Sequence, residues 1–225
     1  MKLEERESPQ GHRGQVWSVA WNSKPCHHAQ HMLASTGDDA MTIVWHCIDD
    51  KWEKFQALCD VEGRSLRAVA WHPEGRTLAV GGCGTKVNFW RHDEDTQAFT
   101  LNENIPNFHG DKVKSISWNE EGSLLLCCSD CGQISIVKEG TRGYIIVCRV
   151  SLEESTPLSR GRWIPCKKQN EFVVAGSLGI KTFELSENNQ GVLEACASPD
   201  ISCSNNLQGY FLYHKKVADL HYSYA

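Results

Sequence analysis

The sequence predicts an all-β protein built from repeats of 45 to 50 residues. Three segments superpose without gaps, VWSVAW (16–21), LRAVAW (66–71) and VKSISW (113–118), and with Trp163 of a fourth segment their final tryptophans lie 50, 47 and 45 residues apart. Two further runs with the alternation and β-branched content of strands follow each segment, such as LASTG and MTIVW after the first. Helix signals are nearly absent. Recurrence at this period indicates a repeat architecture.

The composition excludes several classes of protein. The chain has 225 residues, 40% of them apolar and 23% charged, with a net charge of −5. This is enough for a domain with a buried core and is atypical of collagen-like, coiled-coil or disordered chains. The mildly acidic balance favours neither nucleic acid nor an anionic membrane as a partner. The first ten residues, MKLEERESPQ, lack the apolar stretch of a secretory signal, so we expect a cytoplasmic location, with the nucleus as a second possibility.

The repeats divide the chain into four units. They span 11–50, 62–95, 109–150 and 154–185, after an N-terminal extension at 1–10 and before a degenerate or partial further unit at 186–225. In the first unit His12 lies nine residues before Trp21, while Ser35 and Asp39 lie ten and six residues before Trp45. At the same offsets the fourth unit carries Ala175 and Leu185 in place of the serine and the tryptophan.

Units of four short strands with these residues resemble the blades of the WD40 family of β-propellers. The resemblance implies that His12, Ser35, Asp39 and Trp45 form a buried hydrogen-bonded tetrad that stabilises the blade, so their likeness to a catalytic triad is misleading. At about 47 residues a blade the chain holds four to five recognisable blades, whereas such rings close with about 4–8 and in this family usually seven. The predicted propeller is therefore incomplete or truncated. It closes atypically, assembles with another chain, or is a shortened ring.

Within the family, three segments resemble the WD-repeat component of cytosolic iron–sulfur protein assembly. They are GHRGQVWSVAWN, LRAVAWHPEGRTLAVGG and DKVKSISWNEEGSLLLCCSD, together with DDKW and RHDED, which we interpret as connections between blades. This resemblance implies a scaffold without enzymatic activity, in a multi-subunit complex with iron–sulfur targeting subunits and apo-protein clients. The alternative is the WD-repeat subunit of the actin-nucleating complex, which KWEKF resembles, or another WD40 adaptor.

The family resemblance also suggests a docking face. Partners of WD40 propellers often bind at the position four residues before the tryptophan of each first strand. Here that position holds Trp17, Arg67 and Lys114, with Ser159 in the fourth unit, and Asp38 and Asp130 are expected on the same face. An aromatic ring and two cations would suit an acidic or aromatic peptide end.

The cysteines and histidines raise the question of a metal site. Cys127, Cys128 and Cys131 form C-C-x-x-C, and thiolates two residues apart occur in zinc and iron–sulfur sites. No second pair has that spacing, so we expect buried thiols and no metal. The run from Cys26 to His31 contains three histidines in a predicted loop, where we expect solvated side chains. Nucleophile-elbow, P-loop, HExxH and dinucleotide motifs do not occur, and the sequence therefore predicts no catalytic residue and no cofactor.

Overall fold

The computed structural model describes residues 9–25, 29–60, 62–84, 86–105, 111–152, 156–165, 170–177, 179–188 and 193–197. These residues form sixteen β-strands in four sheets. No helix that could span a membrane is present in the described part of the chain.

Each sheet contains four strands in chain order, and every strand pairs antiparallel with the next. Sheet 1 consists of β1 (Val16–Asn22), β2 (His31–Gly37), β3 (Met41–Ile48) and β4 (Lys51–Cys59). Sheet 2 consists of β5 (Leu66–Trp71), β6 (Thr77–Gly82), β7 (Val87–Asp93) and β8 (Ala98–Ile105). Sheet 3 consists of β9 (Val113–Trp118), β10 (Leu125–Ser129), β11 (Gln133–Gly140) and β12 (Gly143–Ser151). Sheet 4 consists of β13 (Leu158–Trp163), β14 (Glu171–Gly176), β15 (Gly179–Glu187) and β16 (Leu193–Ala197).

The four sheets share one register. The tryptophan near the end of each first strand lies opposite a large apolar residue of the second strand, in the pairs Trp21–Leu33, Trp71–Leu78, Trp118–Leu125 and Trp163–Phe172. Repeated short strands of this kind are typical of propeller blades. The predicted all-β repeat class is confirmed.

The core lies between the sheets. Of three buried apolar clusters, one joins sheets 1 and 2, one joins sheets 2 and 3, and one joins sheets 3 and 4. Phe89 of sheet 2 stacks on Tyr144 of sheet 3 with ring centroids 3.8 Å apart. Trp71 of sheet 2 meets Phe99 of its own sheet edge-on within the first cluster. Each sheet therefore depends on its chain neighbours for burial, as in other repeat folds.

The acidic segments lie within sheets, which corrects the interpretation of DDKW and RHDED as connections between blades. Asp49 and Asp50 form the turn between β3 and β4, both with positive φ, at 50° and 60°. β7 extends to Asp93, and the residues that follow turn into β8 of the same sheet. KWEKF is part of β4. The sequence does not distinguish these two turns from connections between blades, because short polar turns look alike within and between blades.

The sheets also extend beyond some of the predicted unit ends. β4 and β8 follow the ends predicted at 50 and 95, and β16 follows the end predicted at 185. β16 pairs with β15, so it completes sheet 4 although it lies in the stretch 186–225 assigned to a further unit. Residues 1–8 and 198–225 lie outside the described residues.

The second and third strands of sheet 4 are separated by one residue fewer than those of sheet 1, so the offsets of the first unit do not apply to the fourth. Phe183 lies opposite Phe172, as Trp45 lies opposite Leu33 in sheet 1. The β14–β15 hairpin turns at Gly176 and Gly179 and is one residue shorter than its counterpart. The tryptophan position of this sheet is therefore held by Phe183, and Leu185 lies two residues beyond it.

Candidate functional site

The structure brings the four predicted tetrad residues together. His12 Nδ1 lies 3.0 Å from both carboxylate oxygens of Asp39, and His12 Nε2 lies 2.8 Å from Ser35 Oγ. Trp45 Nε1 donates to the same Ser35 oxygen at 2.8 Å. One arrangement satisfies every atom: the Nδ1 proton is donated to Asp39, and the Ser35 hydroxyl donates to Nε2 while it accepts from the indole.

Burial separates this tetrad from a catalytic triad. Ser35 is 4% exposed and Trp45 is 5% exposed, and the indole already occupies the serine oxygen that a substrate would need. Burial of Asp39 acts to raise its pKa, but hydrogen bonds from the Arg13 N–H and from His12, with a further one from the Met41 N–H, bring that pKa below its ordinary value. The carboxylate is thus held ionised to fasten the hairpin that carries it.

Sheet 2 uses a different polar bond, which the sequence analysis missed. Asn88 is 4% exposed, and its Nδ2 donates to Asp60 Oδ1 at 2.9 Å. Asp60 Oδ2 accepts from the backbone N–H groups of Glu62 and Arg64, both at 3.2 Å. An asparagine inside the apolar run KVNFW was the available signal, since a buried amide needs a partner.

A second group of residues lies where sheets 1 and 2 meet, and we call Trp17, Asp38, Ser65 and Arg67 the rim cluster. Asp38 Oδ1 accepts hydrogen bonds from Trp17 Nε1 at 2.7 Å and from Ser65 Oγ at 2.6 Å. Arg67 Nη2 lies 3.4 Å from the same oxygen, and Arg67 Cζ lies 3.7 Å from the centroid of the Trp17 ring. Asp38 therefore positions an aromatic ring and a cation against each other.

The rim cluster is accessible and its charges are fixed. Trp17 is 38% exposed. The hydrogen bonds from Ser65 and Trp17, with the nearby Arg67 charge, lower the pKa of Asp38. Asp38 is thus held ionised beside Arg67. Ser65 was not predicted, because its contact to Asp38 exists only once two sheets pack together.

The remaining predicted docking residues lie on sheets 3 and 4. Lys114 Nζ is 3.4 Å from Asp130 Oδ1 within sheet 3. Lys114 occupies the same position in β9 as Arg67 does in β5, and these two strands pack side by side. Ser159, at that position in β13, is exposed. The two cations thus lie on neighbouring first strands, each paired with one carboxylate.

The thiols of C-C-x-x-C do not converge. Cys127 and Cys128 are both fully buried, but they point to opposite sides of β10, into the clusters shared with sheets 2 and 4 respectively. Burial raises the pKa of Cys127 well above its ordinary value and that of Cys128 to about 12, so both remain thiols. Cys131 Sγ lies 3.1 Å from Ser129 Oγ. Among the described residues no group of three His, Cys, Asp or Glu side chains could hold a metal ion. Cys26, His27 and His28 lie outside that part of the chain.

Comparison with known proteins decides the family. The family described as "WD domain, G-beta repeat" matches residues 4–46, 57–91 and 102–137, which together make about half of the chain. The chain belongs to the WD40 repeat family. The three WD40 matches end within β3, β7 and β11, so each covers the first three strands of one of sheets 1 to 3, and the second and third matches begin within β4 and β8 of the preceding sheet.

The curated relatives of this WD40 chain carry related names. A protein of Culex quinquefasciatus named "Probable cytosolic iron-sulfur protein assembly protein Ciao1" is 36% identical over 36% of this chain and 22% of its own length. "Protein CIA1" of Arabidopsis thaliana is 31% identical over 41% of this chain and 27% of its own length. "Probable cytosolic iron-sulfur protein assembly protein 1" of Candida glabrata is 29% identical over 57% of this chain and 39% of its own length. The chain thus spans less than two-fifths of each of these relatives, and the predicted resemblance is confirmed.

Proposed function

We propose that this chain is a WD40 scaffold of cytosolic iron–sulfur protein assembly, without enzymatic activity, that acts by binding other proteins in the cytoplasm. The observation that carries the proposal is the shared name of its relatives in an insect, a plant and a yeast, all of which are called cytosolic iron–sulfur assembly proteins or CIA1. Its partners on this proposal are the targeting subunits of the assembly machinery and the apo-proteins that await a cluster. The buried tetrad supports a structural rather than catalytic use of Ser35, His12 and Asp39.

The docking surface we propose is the rim cluster together with the Lys114–Asp130 pair. Trp17 is 38% exposed, and Arg67 can donate to a ligand from N–H groups other than those directed at Asp38. A peptide with a carboxylate beside an aromatic side chain would pair with Arg67 or Lys114 and stack on Trp17. Because Asp38 and Ser65 already position these groups, such a peptide would lose less free energy in ordering the site.

Affinity capture from a cytosolic extract tests this proposal. The unaltered 225-residue chain is compared with an Arg67→Gln and Lys114→Gln double variant, which removes both cations and keeps side-chain length. The matched control is Arg149→Gln, an exposed arginine of β12. We expect iron–sulfur assembly subunits with the unaltered chain and the control, and about tenfold less with the double variant, which corresponds to about 1.4 kcal/mol. Each protein's melting curve shows whether the fold is intact.

The outcomes separate the alternatives. Capture of iron–sulfur assembly subunits that is equal for all three proteins would leave the function standing and remove the docking surface. Capture of actin-complex subunits instead would favour the alternative suggested by KWEKF, which lies on the outer strand β4.

A further inference from the structure

The two carboxylate oxygens of Asp38 in the rim cluster differ in their contacts. Oδ1 accepts hydrogen bonds from Trp17 Nε1 and Ser65 Oγ and faces Arg67 Nη2, whereas no contact among the described residues reaches Oδ2. The Asp38 side chain is 40% exposed. Since a carboxylate accepts hydrogen bonds at both oxygens, Asp38 has an unused acceptor on the surface proposed for docking.

The ion pairs of this surface follow from the turn between the second and third strands of each sheet. The turn position of Asp38 is held by Cys83 in sheet 2 and by Asp130 in sheet 3, and the backbone N–H of each donates to the residue just before its own first strand. Arg67 thus has no aspartate at this turn of its own sheet and pairs with Asp38 of sheet 1 at 3.4 Å. Lys114 pairs with Asp130 within sheet 3, also at 3.4 Å. In chain order these four charges run negative, positive, positive and negative.

The Arg67–Asp38 pair restricts which anions the rim cluster can accept. A carboxylate that approaches Arg67 also approaches Asp38, because the two side chains are in contact and the lowered pKa of Asp38 keeps it charged at neutral pH. Like charges brought together at an interface are unfavourable, whereas a cation beside the incoming carboxylate would donate to Asp38 Oδ2. The rim cluster therefore complements two opposite charges better than it complements an acid alone.

We propose that the partner segment carries a basic side chain and a carboxylate two residues apart, with the cation on Asp38 Oδ2 and the carboxylate on Arg67. This inference rests on the docking surface proposed above, and it makes Asp38 the residue that selects among acidic partners. In an extended segment, side chains two residues apart point to the same side and start about 6.7 Å apart. A lysine and a glutamate are long enough to converge from that separation on Asp38 Oδ2 and Arg67, which lie side by side.

Fluorescence anisotropy with three short peptides tests the proposal on the full chain. The peptides have blocked ends, the same uncharged dye and the sequence Gly-X-Gly-Glu-Trp-Gly, in which X is lysine, glutamine or glutamate. We expect the lysine peptide to bind about fivefold more tightly than the glutamine peptide, which is the upper range for an exposed ion pair. The glutamate peptide should bind most weakly, because its second carboxylate faces Asp38.

The variant Asp38→Asn separates selection from positioning. Asparagine keeps an oxygen for the donors Trp17 and Ser65 but removes the charge. We expect the lysine peptide to lose its advantage, and the glutamate peptide to bind the variant more tightly than it binds the unaltered chain. A residue that only positioned Trp17 and Arg67 would instead weaken all three peptides when replaced. The control Asp49→Asn, in the exposed β3–β4 turn at the other end of sheet 1, should leave the order of affinities unchanged.

Three results would overturn the proposal. The first is that the unaltered chain binds the lysine peptide no more tightly than the glutamine peptide. The second is that it binds none of the peptides at millimolar concentration. The third is that Asp38→Asn weakens all three alike, with a cooperative melt that shows an intact fold. None of these decides the function, because capture of assembly subunits from an extract is a separate measurement. Peptide selectivity without such capture would keep the selection by Asp38 and remove the role in iron–sulfur protein assembly.

Discussion

The indole Nε1 of Trp71 donates a hydrogen bond to the backbone carbonyl oxygen of Ala20, 3.1 Å away. Trp71 is the last residue of β5, and Ala20 lies two residues before the end of β1, so the bond joins the first strands of two sheets. Trp163 and Ser117 repeat it between sheets 3 and 4. The repeat tryptophans of sheets 2 and 4 therefore also fasten each sheet to the one before it, whereas Trp118 Nε1 of sheet 3 is buried without a hydrogen-bond partner among the described residues.

Replacement of Trp71 by phenylalanine tests this role. Trp71→Phe loses the bond to Ala20 and part of the apolar volume in the cluster between sheets 1 and 2. We expect the free energy of unfolding to fall by about 2 kcal/mol, measured by urea denaturation. Trp163→Phe should cost a similar amount. A change below about 0.5 kcal/mol in both would show that the sheets do not depend on these bonds.

The tetrad predicts a large effect at Ser35. Ser35→Ala leaves Trp45 Nε1 and His12 Nε2 without the hydroxyl that both contact. Unpaired polar atoms in a buried place are costly, so we expect a loss of about 2–4 kcal/mol in the free energy of unfolding. Ser159→Ala, at an exposed serine, is the matched control and should change it by less than about 0.5 kcal/mol. Equal effects of the two variants would contradict the tetrad's structural role.

The lowered pKa of Asp39 predicts an acid-sensitive contribution to stability. Because the folded-state pKa lies below the ordinary value, the contribution is fully present above that ordinary value and is lost as pH falls through the folded pKa. We expect the free energy of unfolding to decline below about pH 4, and Asp39→Asn to make that decline shallower while it lowers stability at neutral pH. Asp49→Asn, in the exposed β3–β4 turn, is the control. An unchanged acid decline in Asp39→Asn would refute the assignment.

Sheets 3 and 4 approach each other closely at Gly161, and the stability lost by replacing this glycine should be partly restored by a second substitution at Cys128. A methyl group there would clash with Cys128 Sγ, and the Gly161 N–H and carbonyl lie 3.1 and 3.2 Å from Ser115 Oγ. Gly161→Ala should therefore cost about 1–3 kcal/mol of stability. Adding Cys128→Ala removes the sulfur, so the double variant should lose less than the sum of the two single variants. Additive losses would mean that the two residues do not meet.

The fold followed from the sequence where the repeat was regular. The spacing of Trp21, Trp71 and Trp118 was enough to align three sheets, because each tryptophan has the same register position near the end of its first strand. The assignment of Leu185 failed because the β14–β15 hairpin is one residue shorter, and apolar residues at Phe183 and Leu185 satisfy the same alternation. A pattern of period two cannot reveal the length of a turn.

The candidate site was only partly predictable for a related reason. Trp17, Arg67 and Asp38 were found by their positions within repeats, and the structure places them in contact. Ser65 and Asp60 were missed because they precede or follow strands and gain their partners, Asp38 and Asn88, from elements distant in the chain. Sequence positions define a face, whereas packing decides which polar groups on it are bonded to each other.

Incorporation of radioactive iron into cytosolic iron–sulfur enzymes in cells depleted of this protein tests the central claim most directly. We predict that depletion lowers iron loading of these enzymes without lowering their amount, and that the unaltered chain restores it. The Arg67→Gln and Lys114→Gln double variant should restore it poorly, although it is as abundant and as stable as the Arg149→Gln control. Iron loading that is unchanged by depletion would contradict a role in iron–sulfur protein assembly.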